Sequence, residues 1–308
     1  GVFNHVSRRN RIVQDAQSAG PDSDAGRMVR WCAGRLDVFE GHSDLVALNH
    51  DNPAVREHVT RIMNYWCGRG VDGWRLDAAY SVNPEFWAAV LPSVREKYPD
   101  VWIFGEVIHG DYASIVRASG MDSVTQYELW KGIWSSIESR NFFELDHALG
   151  RHNEFSDAFT PMTFVGNHDV TRIASRVGQD GAVLATAILA TIGGIPLIYY
   201  GDELAYRGVK EERFGGDDDI RPVFPASPAD LSNLGADTLR AHQSLLGLRR
   251  RHPWLVDART ESLDLTNERY VYRTGVPGVE PLIVELDVRD GCSVLIREAG
   301  QVAWSSGA

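Results

Sequence analysis

The strongest constraint on this fold is a rhythm. Short runs at residues 71–76, 101–104, 162–165 and 196–200 read as strands and 123–127 as a weaker one, and stretches with helical spacing separate them. Asn52-Pro53 supplies a cap and then a proline at the first helical position. Behind it Val55, Val59, Ile62, Met63 and Trp66 share one helical face, and Gly68 and Gly70 end the helix. Asn83-Pro84 repeats the device ahead of Phe86, Val90, Leu91 and Val94, with the helix closing near Pro99. Two helices are expected between Glu128 and Asn153, one over Ala182–Ile192 and one over Thr238–Arg251. The run Val101–Phe104 is apolar without alternation, as in a strand buried on both faces of a parallel sheet. Strand and helix alternating at intervals of about 30 residues form the βαβ pattern, whose sheet is parallel.

The ends of the chain behave differently. From about Val256 onward, short strands are expected at 270–272, 282–286 and 293–296 with turns between them, a small antiparallel β domain. Residues 7–43 are rich in Gly, Asp, Arg and Ser with little periodicity. They are too long for an ordinary connection and read as an excursion loop or small domain.

Charge excludes some partners. The formal net charge is -11 and there is no basic run, so nucleic acid and anionic membranes are poor partners. No run is apolar for the roughly 18 residues of a membrane span. Cys32, Cys67 and Cys292 fit neither a zinc spacing nor a disulfide framework and read as buried or incidental thiols. No secretory signal is visible, but the chain starts at Gly1 rather than Met. The compartment stays open, with the cytoplasm favoured.

Three carboxylates stand where strands end: Asp77 after 71–76, Glu106 after 101–104 and Asp169 after 162–165. In a closed parallel barrel all such ends converge on one mouth. Several acids there, without His or Cys clusters, suit glycoside cleavage by one nucleophilic carboxylate and one proton donor. Arg75 and Asp77, two apart on a strand, share a face, and the cation favours the ionised carboxylate a nucleophile requires. Glu106 must instead hold a proton, which partial burial and neighbouring negative charge would favour. Any one of these acids could equally be a turn or helix-cap residue.

The segments Gly1-Val2-Phe3-Asn4-His5, Gly73-Trp74-Arg75-Leu76-Asp77, Phe104-Gly105-Glu106-Val107 and Val165-Gly166-Asn167-His168-Asp169 resemble, in order, the four short conserved regions of the α-amylase family of glycoside hydrolases. Leu48-Asn49 with Asn52-Pro53-Ala54-Val55-Arg56, and Gly194 through Glu203, resemble two further family segments. The likeness covers nearly all of residues 1–252. Glu106-Val107-Ile108-His109 and Val2-Phe3-Asn4-His5 look most like the cyclomaltodextrinase, neopullulanase and maltogenic amylase branch.

The resemblance implies an α/β fold, a (β/α)8 TIM barrel incomplete at its N-terminus and followed by the small antiparallel β domain. Residues 1–6 and 44–255 would be barrel, starting at the end of its third strand, with 7–43 as the excursion and 256–308 as the tail domain. Five strands plus the end of a third fall short of the eight such a barrel needs, so a fragment is expected. Its apolar edges would invite a missing N-terminal segment or a second copy. The resemblance further implies Asp77 as nucleophile, Glu106 as acid/base and Asp169 as the carboxylate that clamps sugar hydroxyls. Arg75, His5 and His168 would surround the sugar being cleaved. Asp217 and Arg221 look like that branch's pair holding a sugar farther along, although Asp217-Asp218-Asp219 also reads as a solvated acidic loop.

Tyr80-Ser81 stands where many secreted α-amylases carry Lys-His, which leaves their calcium site unsupported. No metal or other cofactor is assigned. Tyr80, Trp130 and Tyr206 are candidate stacking platforms for sugars, Tyr80 foremost. The expected activity is retaining hydrolysis of maltooligosaccharides, cyclomaltodextrins or related α-glucans. A transglycosylase with the same site and a non-catalytic carbohydrate-binding barrel are the alternatives.

Overall fold

A computed structural model describes residues 4–231 and 233–307. The chain divides into two compact units, residues 1–125 and 126–308, and each is taken by itself.

The first unit begins with β1 (His5–Ser7), α1 (Arg11–Ala19), β2 (Trp31–Cys32), β3 (Arg35–Leu36), β4 (Val38–Phe39) and β5 (His42–Ala47). Strand β1 pairs antiparallel with β5, and β5 with β4. Of the expected barrel segment 1–6, His5 and Val6 sit in this antiparallel ladder, and Gly1, Val2 and Phe3 lie outside the described residues. The boundary expected between residues 43 and 44 falls inside β5, so the excursion shares one sheet with β1. The β4–β5 turn is Glu40-Gly41, with φ of 49° and 80°. Two successive positive φ values suit the right-handed twist of a hairpin, and the glycine takes the second at no steric cost.

Beyond lie α2 (Pro53–Cys67), β6 (Gly73–Leu76), α3 (Pro84–Arg95), β7 (Trp102–Gly105), α4 (Tyr112–Ser119) and β8 (Ser123–Val124). Asn52 and Asn83 cap α2 and α3 as expected, their side chains accepting from the backbone N–H of Ala54 and Glu85 at 3.0 Å each. Strands β6, β7 and β8 form a parallel sheet in that order. Helix α2 buries Val55, Val59, Met63 and Cys67. An i, i+4 ridge turns about 40° per step. By the helix end it faces Cys67 inward and leaves Trp66 48% exposed, unlike the expected stripe.

The second unit holds α5 (Tyr127–Ser139), α6 (Phe142–Ser156), β9 (Met162–Phe164), α7 (Ile173–Thr191), β10 (Ile195–Leu197), α8 (Ala236–Arg251), β11 (Arg259–Leu265), β12 (Arg269–Gly275), β13 (Leu282–Asp287), β14 (Ser293–Glu298) and β15 (Gln301–Ser305). Strands β9 and β10 are parallel, in register from Met162 against Ile195. Helix α7 starts well before the expected Ala182 and breaks at Gly178, whose φ is 74°. Its second half is buried nearly all round, which marks a central helix. One core cluster joins it to α5, α6, α8 and the inward residues of β12–β14, among them Ile188, Leu248, Tyr272 and Val284. Arg249 of α8 donates to the carbonyls of Ala190 and Ile192 at 3.2 and 2.7 Å and so satisfies the end of α7.

Strands β11–β15 form a five-stranded antiparallel meander. Its three inner strands coincide with the expected ones. The two outer strands carry only exposed and half-buried residues and are additions to the sequence reading.

Candidate active site

In the first unit the end of β6 sets the geometry. Arg75 lies within the strand and Asp77 just beyond it, on the same face. Nη1 of Arg75 bonds Oδ1 of Asp77 at 2.9 Å, and Nη2 bonds Oε1 of Glu106 at 2.8 Å. One guanidinium therefore holds both carboxylates, where the sequence suggested Asp77 alone. The other Glu106 oxygen, Oε2, accepts the backbone N–H of Ala78 at 2.9 Å. Ala78 is left-handed (φ 41°), so the chain turns sharply as soon as Asp77 is placed.

The two acids differ in setting. The Asp77 side chain is 38% exposed and that of Glu106 8%. The Asp77 carboxylate is open to a substrate atom, and the Glu106 carboxylate is enclosed.

His5 joins this cluster through Asn4. Nδ2 of Asn4 donates to the Asp77 carbonyl at 2.6 Å, and its Oδ1 pairs with Nδ1 of His5 at 2.6 Å. Phe39 stacks on His5 with ring centres 4.7 Å apart. Burial lowers the pKa of His5, which favours a neutral imidazole beside the site. Tyr80 leans on His109, ring centres 5.5 Å apart. Burial, and then its hydrogen bond to Glu40, push the phenol well above its usual range. Sequence reasoning missed Asn4 and Glu40 as individual residues. Asn4 lay inside a noted motif, and Glu40 gave no signal.

In the second unit the turn after β9 carries His168 and Asp169. Asn167 shapes it, accepting from the Asp169 N–H at 2.8 Å and donating to the Tyr127 hydroxyl at 2.8 Å. Nε2 of His168 lies 3.1 Å from Oδ2 of Asp169. Nη2 of Arg221 pairs with Oδ1 of Asp169 and with Oδ2 of Asp217, 2.9 Å each. Its Nε donates to the His168 carbonyl at 2.7 Å. The expected pair Asp217 and Arg221 is thus tied directly to Asp169. Lys210, which sequence reasoning did not single out, bonds Asp217 and is the first cause of that carboxyl's lowered pKa.

Behind the turn lies a buried pair, Arg172 and Asp202, with Nη1 to Oδ1 at 3.0 Å. Burial pushes the Asp202 carboxyl up to about 6, against the pull of Arg172. Trp130 packs against Phe164, Tyr127 and Trp134 within an aromatic cluster, and Tyr206 against Phe224. Trp130 therefore reads as packing rather than as a platform for sugar. Among the described residues no three His, Cys, Asp or Glu side chains gather as a metal ion would need. None of the helices described there is long and apolar enough to cross a membrane.

The description of the α-amylase catalytic domain matches residues 36–258, and the chain belongs to that family of glycoside hydrolases. It is 34% identical over 188 residues to Alpha-amylase 3 of Dictyoglomus thermophilum, covering 56% of this chain and 37% of that protein. It is 31% identical over 232 residues to the Maltogenic alpha-amylase of Bacillus acidopullulyticus, covering 72% of this chain and 37% of that one. The chain thus spans a little over a third of the length of these relatives. Proteins named Cyclomaltodextrinase and Neopullulanase 2 are also similar to it, in keeping with the branch the motifs resemble. Among solved structures, the ligand-free cyclic alpha-maltosyl-(1→6)-maltose hydrolase of Arthrobacter globiformis superposes with a TM-score of 0.80. The match covers 98% of this chain and 72% of that one at 21% identity, a likeness of fold. The fold is that of the family's TIM-barrel catalytic domain with a C-terminal antiparallel sheet.

Proposed function

We propose that this chain carries the active centre of a retaining α-glucosidic hydrolase acting on maltooligosaccharides, cyclomaltodextrins or related α-glucans. The observation that carries the reading is the single Arg75 guanidinium bonded to both Asp77 and Glu106. It gathers two carboxyl groups of unequal exposure within reach of one residue, as double displacement asks. Asp77 attacks the anomeric carbon while Glu106 protonates the leaving oxygen. The glycosyl-enzyme so formed is released when Glu106, now a base, takes a proton from water. Asp169, with His168 and Arg221 beside it, holds sugar hydroxyls, a role supported by its motif. Asp217 and Tyr80 are assigned outer sugar contacts and His5 a place beside the reacting ring.

Replacement of Asp77 by Asn is expected to abolish turnover of maltotriose, and NMR of the first product of the parent chain to show the α anomer. Full activity in Asp77→Asn, or a β product, would overturn the mechanism. A second reading keeps the site but lets a sugar hydroxyl outcompete water. It is favoured by the 30% identity over 172 residues to a protein named 4-alpha-glucanotransferase from Thermotoga neapolitana. Chromatography separates the two, since only transfer yields chains longer than the substrate.

A further inference from the structure

Three segments of the second unit meet at one buried side chain. Arg172, with a fully buried guanidinium, donates through Nε to the Ile220 carbonyl at 3.0 Å. Through Nη1 it donates to the Tyr200 carbonyl at 2.5 Å and to Oδ1 of Asp202 at 3.0 Å. Its guanidinium also lies 4.2 Å from the centre of the Tyr199 ring. Ile220 directly precedes Arg221, whose side chain bonds Asp169. Asp202 in turn presses on the turn that carries Asp169: a Cβ built on Gly166 would stand 2.4 Å from Oδ2 of Asp202. The segment that leads to Asp217 and Arg221 is pinned as well, where the Arg172 N–H donates to the Gly208 carbonyl at 3.0 Å and the Lys210 N–H to the Thr171 hydroxyl at 3.0 Å.

We propose that Arg172 and Asp202 are positioning residues for Asp169, fixing the 165–169 turn from behind and holding the 217–221 loop so that Arg221 stays on that carboxylate. The proposal rests on the reading of Asp169 as a carboxylate that holds substrate. A buried ion pair is a poor source of net stability, because desolvation offsets the attraction. It is a good source of fixed geometry here, because one rigid fork reaches acceptors on separate segments, which an ammonium cannot do. Among the described residues, Nη2 of Arg172 and Oδ2 of Asp202 find no hydrogen-bond partner despite their burial. That pattern is costly for a pair serving stability alone.

The test uses the full chain with Arg172→Lys and Asp202→Asn, each compared with the parent well below its melting temperature. The first readout is the ¹⁵N–¹H signal of the Arg221 side-chain Nε, which reports its bond to the His168 carbonyl whatever the substrate. It is expected to shift and broaden in both variants while the overall amide spectrum stays that of a folded chain. The second readout is kcat on maltotriose per folded molecule, expected to fall about tenfold, the scale of one charge-assisted hydrogen bond. The third is a double-variant cycle in which Arg221→Met costs much less in the Arg172→Lys background than in the parent. An unmoved Arg221 signal, or additive losses in the cycle, overturns the proposal even if activity falls. If Arg172→Lys does not fold, the same signal and cycle are read with Asp202→Asn. A parent chain whose maltotriose cleavage survives Asp169→Asn would refute the catalytic reading instead, and the Arg221 signal would still judge the positioning.

Discussion

Replacing Arg75 by Lys separates charge from geometry at the two acids. The fork reaches Asp77 with one nitrogen at 2.9 Å and Glu106 with the other at 2.8 Å. A lysine keeps the positive charge but has one nitrogen on a flexible stem, so it cannot hold both oxygens in these positions. A hydrogen bond between charged groups contributes about 1.5–3 kcal/mol, and each 1.36 kcal/mol is about tenfold in rate. Losing one of the two bonds should therefore lower kcat/KM on maltotriose by about ten- to a hundredfold. Arg75→Met, which loses both and leaves the enclosed Glu106 without its cation, should fall by at least about another tenfold. The assay is initial rates at pH 7 on protein whose melting curve shows it folded at the assay temperature. A lysine variant within about threefold of the parent, or a methionine variant no worse than lysine, would refute the view that the shared fork organises the site.

Two further outcomes concern the frame around it. His152 is fully buried, bonds the Gly193 carbonyl at 3.2 Å, and desolvation lowers its pKa to about 4. An unfolded histidine takes its proton near 6.5, so between these values the unfolded chain binds more protons and stability falls as the pH drops. The loss is about 3 kcal/mol by pH 4. His152→Gln keeps a donor for Gly193 without that titration, and urea unfolding at pH 4.5 and 7 should show the gap between them shrink by about 2–3 kcal/mol. An unchanged gap would exclude His152 as the source. Gly166→Ala must displace the Asp202 carboxylate, 2.4 Å from the new Cβ, and should cost about 1–3 kcal/mol in thermal unfolding. An unaltered melting temperature would mean that the carboxylate can swing aside.

What could be read in advance was local. Asn-Pro at α2 and α3 encodes its own cap and first turn, and β7 announces itself as an apolar run because burial on both faces leaves no alternation. Helix α1 was missed because only Val13 and Ala16 are buried on it, too few to show a period. Strand β11 was missed because Arg259, Glu261 and Asp264 give it the charged character of a sheet edge.

The site divides along the same line. Arg75 and Asp77 share a face by the two-residue period of a single strand, which a sequence displays. That Arg75 also holds Glu106 depends on register between strands. In the parallel ladder Arg75 stands opposite Phe104 and Leu76 opposite Gly105. The next positions on the two strands are Asp77 and Glu106, so both acids leave the sheet at the same level and on the same side. Arg75 lies two residues below that level, within reach of each. The double ion pair follows from this register, and a slip of one residue would turn Glu106 to the opposite face and break it. The Arg172 hub depends still more on tertiary structure, joining segments some thirty to fifty residues apart. Its residues gain their meaning only once β9 and β10 are side by side.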